Sequence, residues 1–304
     1  MRHRLSGSQD LRSGLIAVYA ARSRAMTEDE FTGTLDWRGR PVRCRECEHL
    51  KMNAEGLCAK GKACIRDRRA RRVDRFLSEH RALADGYLDH PYFEVRASAA
   101  RYATLFRLAA LLDDPEPEVR AMATLRLPLD RIVRMADDPD PHVRMAAASR
   151  LTGKDLLPLL ADGDYLVRLT AVRKMPLDLL PLVMGDPDSE VRQAVARRID
   201  LNCLPNMSFD PDPLIRREVA ERLPLRQLQI LANDSDLRVR FVVAERIAEE
   251  ELEPFLDDAE PLIRALANER IDRVPMLRER IEAARQAERA PLAFRCKPEQ
   301  ETDR

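Results

Sequence analysis

A Val-Arg or Ile-Arg dipeptide recurs every 24 residues along this chain. It places Arg96, Arg120, Arg144, Arg168, Arg192, Arg216, Arg240 and Arg264 in strict register, without one insertion or deletion. Eight units at a fixed period restrict the fold to a repeat array, in which each unit buries its apolar face only by stacking on its neighbours.

The unit spanning 209–232, FDPDPLIRREVAERLPLRQLQILA, shows how one layer is built. Asp212 suits an N-cap, and Pro213 suits the first helical position, where its missing N–H costs nothing. Glu116-Pro117, Asp140-Pro141 and Glu260-Pro261 repeat the arrangement, with Asp the better cap. Ile215, Val219, Ala220 and Leu223 then fall on one helical face, and Pro224 stops the helix. Leu225, Leu228 and Leu231 follow at intervals of three, as do Leu177, Leu180, Val183 and Leu129, Ile132, Met135. Side chains three apart eclipse in a 3₁₀ helix. Each unit is therefore expected to pair an α-helix with a shorter, often 3₁₀, helix, giving an all-α solenoid. An aromatic content of 5% fits packed helices better than a β-sandwich.

The repeated arginine invites a phosphate ladder, but each unit carries its own acids, such as Asp210 and Asp212 before Arg216. Local carboxylates would neutralise a phosphate groove, so the arginines read as a structural ladder bonding Asp or loop carbonyls in their own or the next layer. The last unit erodes. Glu279, flanked by Arg278 and Arg280, stands where other units place an apolar residue, as a polar end-cap requires. The organisation expected is an extension over 1–34 with a helix at 11–24, a four-cysteine domain over 35–81 and a repeat array over 82–280 with units from about 89. A tail over 281–304 opens on a charged helix at 281–289.

Cys44, Cys47, Cys58 and Cys64 fall in a C-x2-C-x10-C-x5-C pattern. Thiols so clustered in a reducing compartment are metal ligands more often than disulfides. A tetrathiolate zinc site usually joins two close-spaced couples, whereas one close couple with two distant single ligands suits an iron–sulfur cluster. Spacing alone leaves zinc open as the alternative. His49 could replace a ligand but reads as a neighbour in the loop, and the isolated Cys203 and Cys296 read as incidental. Gly56 and Gly61 suit positions where backbone approaches sulfur. The basic run 66–72 continues into Val73, Phe76 and Leu77 at helical spacing, which predicts an amphipathic helix docking this domain on the first repeat.

The unit form D-P-D-P-x-V-R-x-x-V-A-x-R-L-P, joined to Cys44-Arg45-Glu46-Cys47, the run 52–58 ending in Cys58, and Cys64, resembles the leucine-rich repeat variant family over residues 35–280. The resemblance implies a right-handed superhelix of alternating α and 3₁₀ helices behind an N-terminal [4Fe–4S] domain. It makes Cys44, Cys47, Cys58 and Cys64 the cluster ligands. It implies no biochemical role, although members tend to occur in nitrogen-fixing bacteria.

Charge is unevenly shared. Of 52 Lys/Arg and 52 Asp/Glu, residues 1–81 hold 19 and 11, which sets a basic head on an acidic body. There is no Gly-rich phosphate loop, and His3, His49, His80, His90 and His142 are scattered. The leading expectation is thus a non-enzymatic scaffold for a protein partner, whose cluster closes the array or responds to oxidants or iron supply. An electron-transfer accessory protein is the alternative. Nucleic-acid binding is weaker, given few aromatics and an acidic body. The apolar run 15–21 is too short to cross a bilayer, so a cytoplasmic protein with no membrane contact is expected.

Overall fold

The computed structural model describes residues 34–289. The helix expected at 11–24, Cys296 and the tail beyond 289 lie outside them. Among the described residues there are helices and no named strand, only isolated bridges pairing Leu35 with Pro41 and Ala59 with Ala63. The chain divides into two compact units, with the boundary after Leu179.

Eight α-helices recur at the repeat period among the described residues. In the first unit these are Phe93–Tyr102, Pro117–Arg126, Pro141–Arg150 and Tyr165–Val172, each packed on the next. In the second unit Ser189–Ala196, Pro213–Arg222, Leu237–Arg246 and Pro261–Asp272 stack likewise. Between them run short helices that are mainly 3₁₀, including Leu177–Val183 and Leu225–Leu231. Two early ones open with an α turn, Leu105–Leu108 and Leu129–Ile132, before tightening to 3₁₀ at Ala109–Asp113 and Val133–Asp137. Ile215, Val219, Ala220, Leu223, Leu228 and Leu231 are buried as their spacing predicted. Leu225 is not. Leu129, Leu177 and Leu225, each opening its short helix, stay half-exposed.

The caps sort by residue type. Asp140, Asp164, Asp188, Asp212 and Asp236 each accept the N–H two residues on. Glu116 and Glu260 make no such bond, because the longer side chain overshoots the donor. Glu116→Asp is therefore expected to stabilise the first unit by about 0.5–1 kcal/mol. A thermal midpoint raised by about 1–3 °C would report it, and an unchanged midpoint would count against the capping account.

Two cation ladders bind successive layers. In the first, Arg216 Nε and Nη2 fork onto Asp234 at 2.6 and 2.8 Å, while Nη1 reaches the Asp210 and Pro211 carbonyls at 2.8 and 3.3 Å. Arg96–Asp114, Arg120–Asp138, Arg144–Asp162, Arg192–Asp210 and Arg240–Asp258 repeat the fork. Each such aspartate also accepts the backbone N–H two residues on, as Asp234 does from Asp236 at 2.8 Å. These six arginines are thus bound within the array, with the next layer's acid as partner, while Arg264 donates to the Asp258 and Ala259 carbonyls of its own layer.

The second ladder was present in the sequence but unread: Arg126, Arg150, Lys174, Arg198, Arg222, Arg246 and Arg270 also keep the 24-residue period. Arg126 Nη1 donates to the Ala100 and Ala103 carbonyls, Lys174 Nζ to those of Ser149 and Leu151, and Arg222 to those of Ala196 and Ile199. These carbonyls lie in the last turn of the preceding helix or just past its end, where no internal partner reaches them. A cation at a helix C-terminus is also favoured by the dipole.

At the end of the array, the helix expected over 281–289 instead begins earlier, as Pro275–Arg289. Pro275 supplies a helical start, and Leu277 and Ile281 bury the inner face, so one α-helix replaces the short helix of other units. Arg285 fastens it to Glu253 and Asp257.

Candidate metal centre

Four local devices place the four cysteines. Cys44 opens the 3₁₀ turn Cys44–Glu46, and its carbonyl accepts the Cys47 N–H at 3.2 Å, so one turn fixes the close couple. The Cys47 carbonyl in turn accepts from Leu50, the first residue of helix Leu50–Ala54. That helix ends in a Schellman motif. Gly56 at φ 75° donates to the Asn53 carbonyl at 3.2 Å, and Leu57 donates to that of Met52 at 2.8 Å. The reversal delivers Cys58, whose carbonyl accepts from Asn53 Nδ2 at 2.9 Å. Ala59 and Ala63 then exchange both backbone hydrogen bonds at 3.0 Å around a tight turn with Gly61 at φ 81°, and the chain arrives at Cys64. Both glycines hold a backbone conformation that costs an L side chain energy.

Cys64 is buried, while Cys44, Cys47 and Cys58 are half-buried. Burial comes first in raising the Cys58 thiol pKa, followed by the charges of Cys47 and Cys44, while an Asn53 side-chain bond opposes the rise. Burial likewise pushes Cys64 up to about 11, against a backbone N–H from Arg66, with Asp67, Cys47 and Cys44 adding to the rise. Cys58 and Cys64 thus both sense the charges of Cys44 and Cys47. Cys58 and Cys64, which resist ionising alone yet have an Asn53 side chain and an Arg66 N–H as donors, fit a cationic group that ionises its ligands on binding. Among the described residues, no three His, Cys, Asp or Glu side chains converge in a group able to hold a single metal ion.

Sequence reasoning missed much of the frame around these thiols. His49 meets the Tyr87 hydroxyl at 2.5 Å, its ring lies 5.1 Å from that of Phe76, and Tyr87 donates to Glu48 at 2.5 Å. Burial and Glu48 hold the Tyr87 phenol above its ordinary range. His49 is thus the bridge between the loop and the 3₁₀ helix Arg81–Tyr87. Arg66 Nη1 ties to the Glu46 carbonyl at 2.7 Å, and buried Asp67 accepts from Arg72 at 2.9 Å. The predicted basic helix is Ala70–Glu79. Val73, Phe76 and Leu77 are fully buried, and it packs on helix Phe93–Tyr102 of the first repeat. Trp37 stacks on Tyr92 at 6.2 Å, and the Tyr92 hydroxyl donates to the Arg68 carbonyl at 3.0 Å, closing the joint.

Residues 34–86 match the family described as LRV protein FeS4 cluster. A solved structure described as a leucine-rich repeat variant with a novel repetitive protein structural motif is 36% identical. It covers 75% of this chain and 98% of its own length, at a TM-score of 0.70. The chain belongs to the leucine-rich repeat variant family. The helix-pair solenoid is therefore the family's fold, with the iron–sulfur segment preceding it as the sequence led us to expect. This leucine-rich repeat variant also matches an uncharacterized 27.7 kDa protein in the nifB 3' region of Rhodobacter capsulatus, 45% identical over 78 residues. The match takes in 26% of this chain and about a third of that protein's length. No described helix is long and apolar enough to cross a membrane.

Proposed function

We propose that this leucine-rich repeat variant is a non-enzymatic, cytoplasmic scaffold for a protein partner, with Cys44, Cys47, Cys58 and Cys64 holding a [4Fe–4S] cluster at the head of its array. The carrying observation is the quartet of thiols, set by separate backbone devices, with Cys58 and Cys64 both close enough to feel the charges of Cys44 and Cys47. Such a cluster offers four iron corners, and four cysteines would satisfy them all, leaving none for a substrate. The array contributes surface: its arginines and caps are consumed in holding layers together. Bound at the four sulfurs, the cluster supplies a one-electron centre that also fixes the loop. This chain's own residues orient the thiols, through Gly56 and Asn53, and seat the loop on the first repeat through Phe76 and Tyr87.

A second reading, an electron-transfer accessory, draws on one observation. Cys44, Cys47 and Cys58 are half-buried, so a docked protein could approach the cluster edge. The test is anaerobic purification with metal and sulfide analysis. About four iron and four sulfide per chain, with broad visible absorption, support the cluster. A colourless protein carrying stoichiometric zinc would overturn it. Partner capture by oxidised and by reduced protein, with cyclic voltammetry beside it, separates the roles: capture unaffected by oxidation state favours the scaffold, whereas a reversible couple with rapid exchange to a partner favours electron transfer.

A further inference from the structure

Beside the cysteine loop lies a groove of about 500 Å³, walled by one face of helix Ala70–Glu79 and by the turn at Gly61 and Lys62. Five cations line it: Lys62, Arg69, Arg71, Arg72 and Arg75. Arg72 is taken by buried Asp67 at 2.9 Å, and the two carboxylates in the lining are both occupied. Asp74 accepts from Arg101 at 2.9 Å and from the Tyr102 hydroxyl at 3.0 Å, which anchors the helix on the first repeat. Glu79 lies 4.0 Å from Arg75. Among the described residues no hydrogen bond or ion pair engages the side chain of Lys62 or Arg71, and both are exposed. Lys62 and Arg71 therefore leave the groove positive charge that no hydrogen bond or ion pair among the described residues uses. Elsewhere the chain does use its arginines: the repeat ladders pair or cap with theirs in layer after layer.

Its position adds meaning to its charge. Gly61 and Lys62 form the turn between Cys58 and Cys64, and the Arg72 carbonyl accepts the Cys64 N–H at 3.1 Å. Whatever fills the groove rests against backbone that positions two of the four thiols.

We propose that this groove docks the acidic surface of a protein partner and seats it against the Cys58–Cys64 loop. The proposal rests on the scaffold reading and names its partner by chemistry. Carboxylate side chains on a folded protein are discrete and can be spaced to meet Lys62 and Arg71 while avoiding Asp74 and Glu79. A continuous phosphate backbone would run over both acids, and the groove's lining holds no aromatic ring on which a base could stack. Charged surfaces of this kind steer encounter and set orientation, and the attraction weakens as salt screens it.

The test uses the full chain, purified anaerobically, with a fluorescent oligoglutamate peptide of about ten residues as the probe. A single-stranded oligonucleotide of equal charge is titrated in parallel. The wild type is expected to bind the peptide more tightly than the oligonucleotide, with affinity falling steeply as salt rises. Lys62→Glu combined with Arg71→Glu should weaken peptide binding about tenfold or more and flatten its salt dependence. Arg131→Glu, on an exposed arginine of the array, should change neither. Lys62→Gln with Arg71→Gln, which remove charge without adding repulsion, should give an intermediate loss. Circular dichroism is expected to be unchanged throughout, because neither side chain supports the fold. Absence of peptide binding, or binding indifferent to both double variants, overturns the proposal. Tighter oligonucleotide binding abolished by the same reversals overturns it in favour of nucleic acid. Iron and sulfide are measured on the same samples. A protein with its cluster that does not bind removes the groove and leaves the cluster, and a colourless one that binds does the reverse.

Discussion

Arg240→Ala is expected to destabilise the second compact unit by about 3 kcal/mol. Arg240 forks onto Asp258 through Nε at 2.7 Å and Nη2 at 3.0 Å, and Nη1 donates to the Asp234 carbonyl at 2.8 Å. The Asp258 side chain retains only 7% of its exposure, so removing its partner leaves a carboxylate that water cannot reach well. That stranded charge, more than the lost attraction, sets the size of the effect. Arg240→Lys should recover only part of it, because a single ammonium cannot reproduce the planar fork while also holding the carbonyl. The pH dependence identifies the cause. The Arg240 hydrogen bond holds the Asp258 carboxyl below its ordinary 3.8, and the same bond raises the Arg240 pKa. A folded pKa below the unfolded one gives stabilisation that is complete above about 3.8 and is lost as pH falls through the folded value. The gap between wild type and Arg240→Ala should therefore be full at neutral pH and narrow below 3.8. In a repeat array the damage stays near the altered layers. Hydrogen exchange should accelerate across Pro213–Arg222, Leu237–Arg246 and Pro261–Asp272, with the first unit unchanged. A gap that persists unaltered into acid would show that the loss is one of packing rather than charge.

The two-helix layer was legible because its signals are local. An Asp-Pro start, a Pro stop and apolar spacings of four and then three each act within a few residues, and repetition averages away their exceptions. The arginine ladder was legible in kind, with carbonyls and Asp of its own or the next layer as expected partners, but which layer supplies the acid was not. The acids nearest Arg216 in sequence are Asp210 and Asp212, yet the guanidinium closes on Asp234, 18 residues on, because stacking brings the next turn alongside. The second ladder went unread for a related reason. Arg126 or Lys174 looks like an ordinary surface cation until the preceding helix's carbonyls are known to end beneath it. At the head, the cysteine spacing and the docking face of Val73, Phe76 and Leu77 were plain in the sequence. The bridge from His49 through Tyr87 to Glu48 was not, since it joins residues some 38 positions apart by geometry that no period encodes. The end-cap helix began earlier than its charge pattern suggested, because Leu277 and Ile281 find an apolar floor that only the folded array provides.

Under the proposed ligand set, Cys58→Ser should abolish the cluster while sparing the array. Serine is nearly isosteric, but its hydroxyl is a poor thiolate substitute, and loss of a ligand should exceed the tenfold to hundredfold penalty typical of altering a supporting residue. Iron retained through anaerobic desalting should thus fall by more than about a hundredfold, and visible absorption should vanish. Cys58 is the informative position because little else holds it. It lies half-buried beyond the Gly56 reversal, secured by the Asn53 side chain, whereas Cys64 is buried and tied to Arg72. Without the cluster, the loop from Cys44 to Cys64 retains its turns but has little apolar burial to hold them, so exchange over residues 40–65 should rise. Helix Ala70–Glu79 should stay protected, because Val73, Phe76 and Leu77 are fixed by the first repeat and Asp74 is held by Arg101. The far-ultraviolet helical signal should consequently change little. Cys203→Ser, in the second unit, should leave iron and exchange as they were. Should the array melt together with the loop, the cluster would be a stabilising cap for the first layers rather than a fixture mounted on them. Should iron survive Cys58→Ser intact, that cysteine is no ligand, and the quartet loses the member on which its spacing depends.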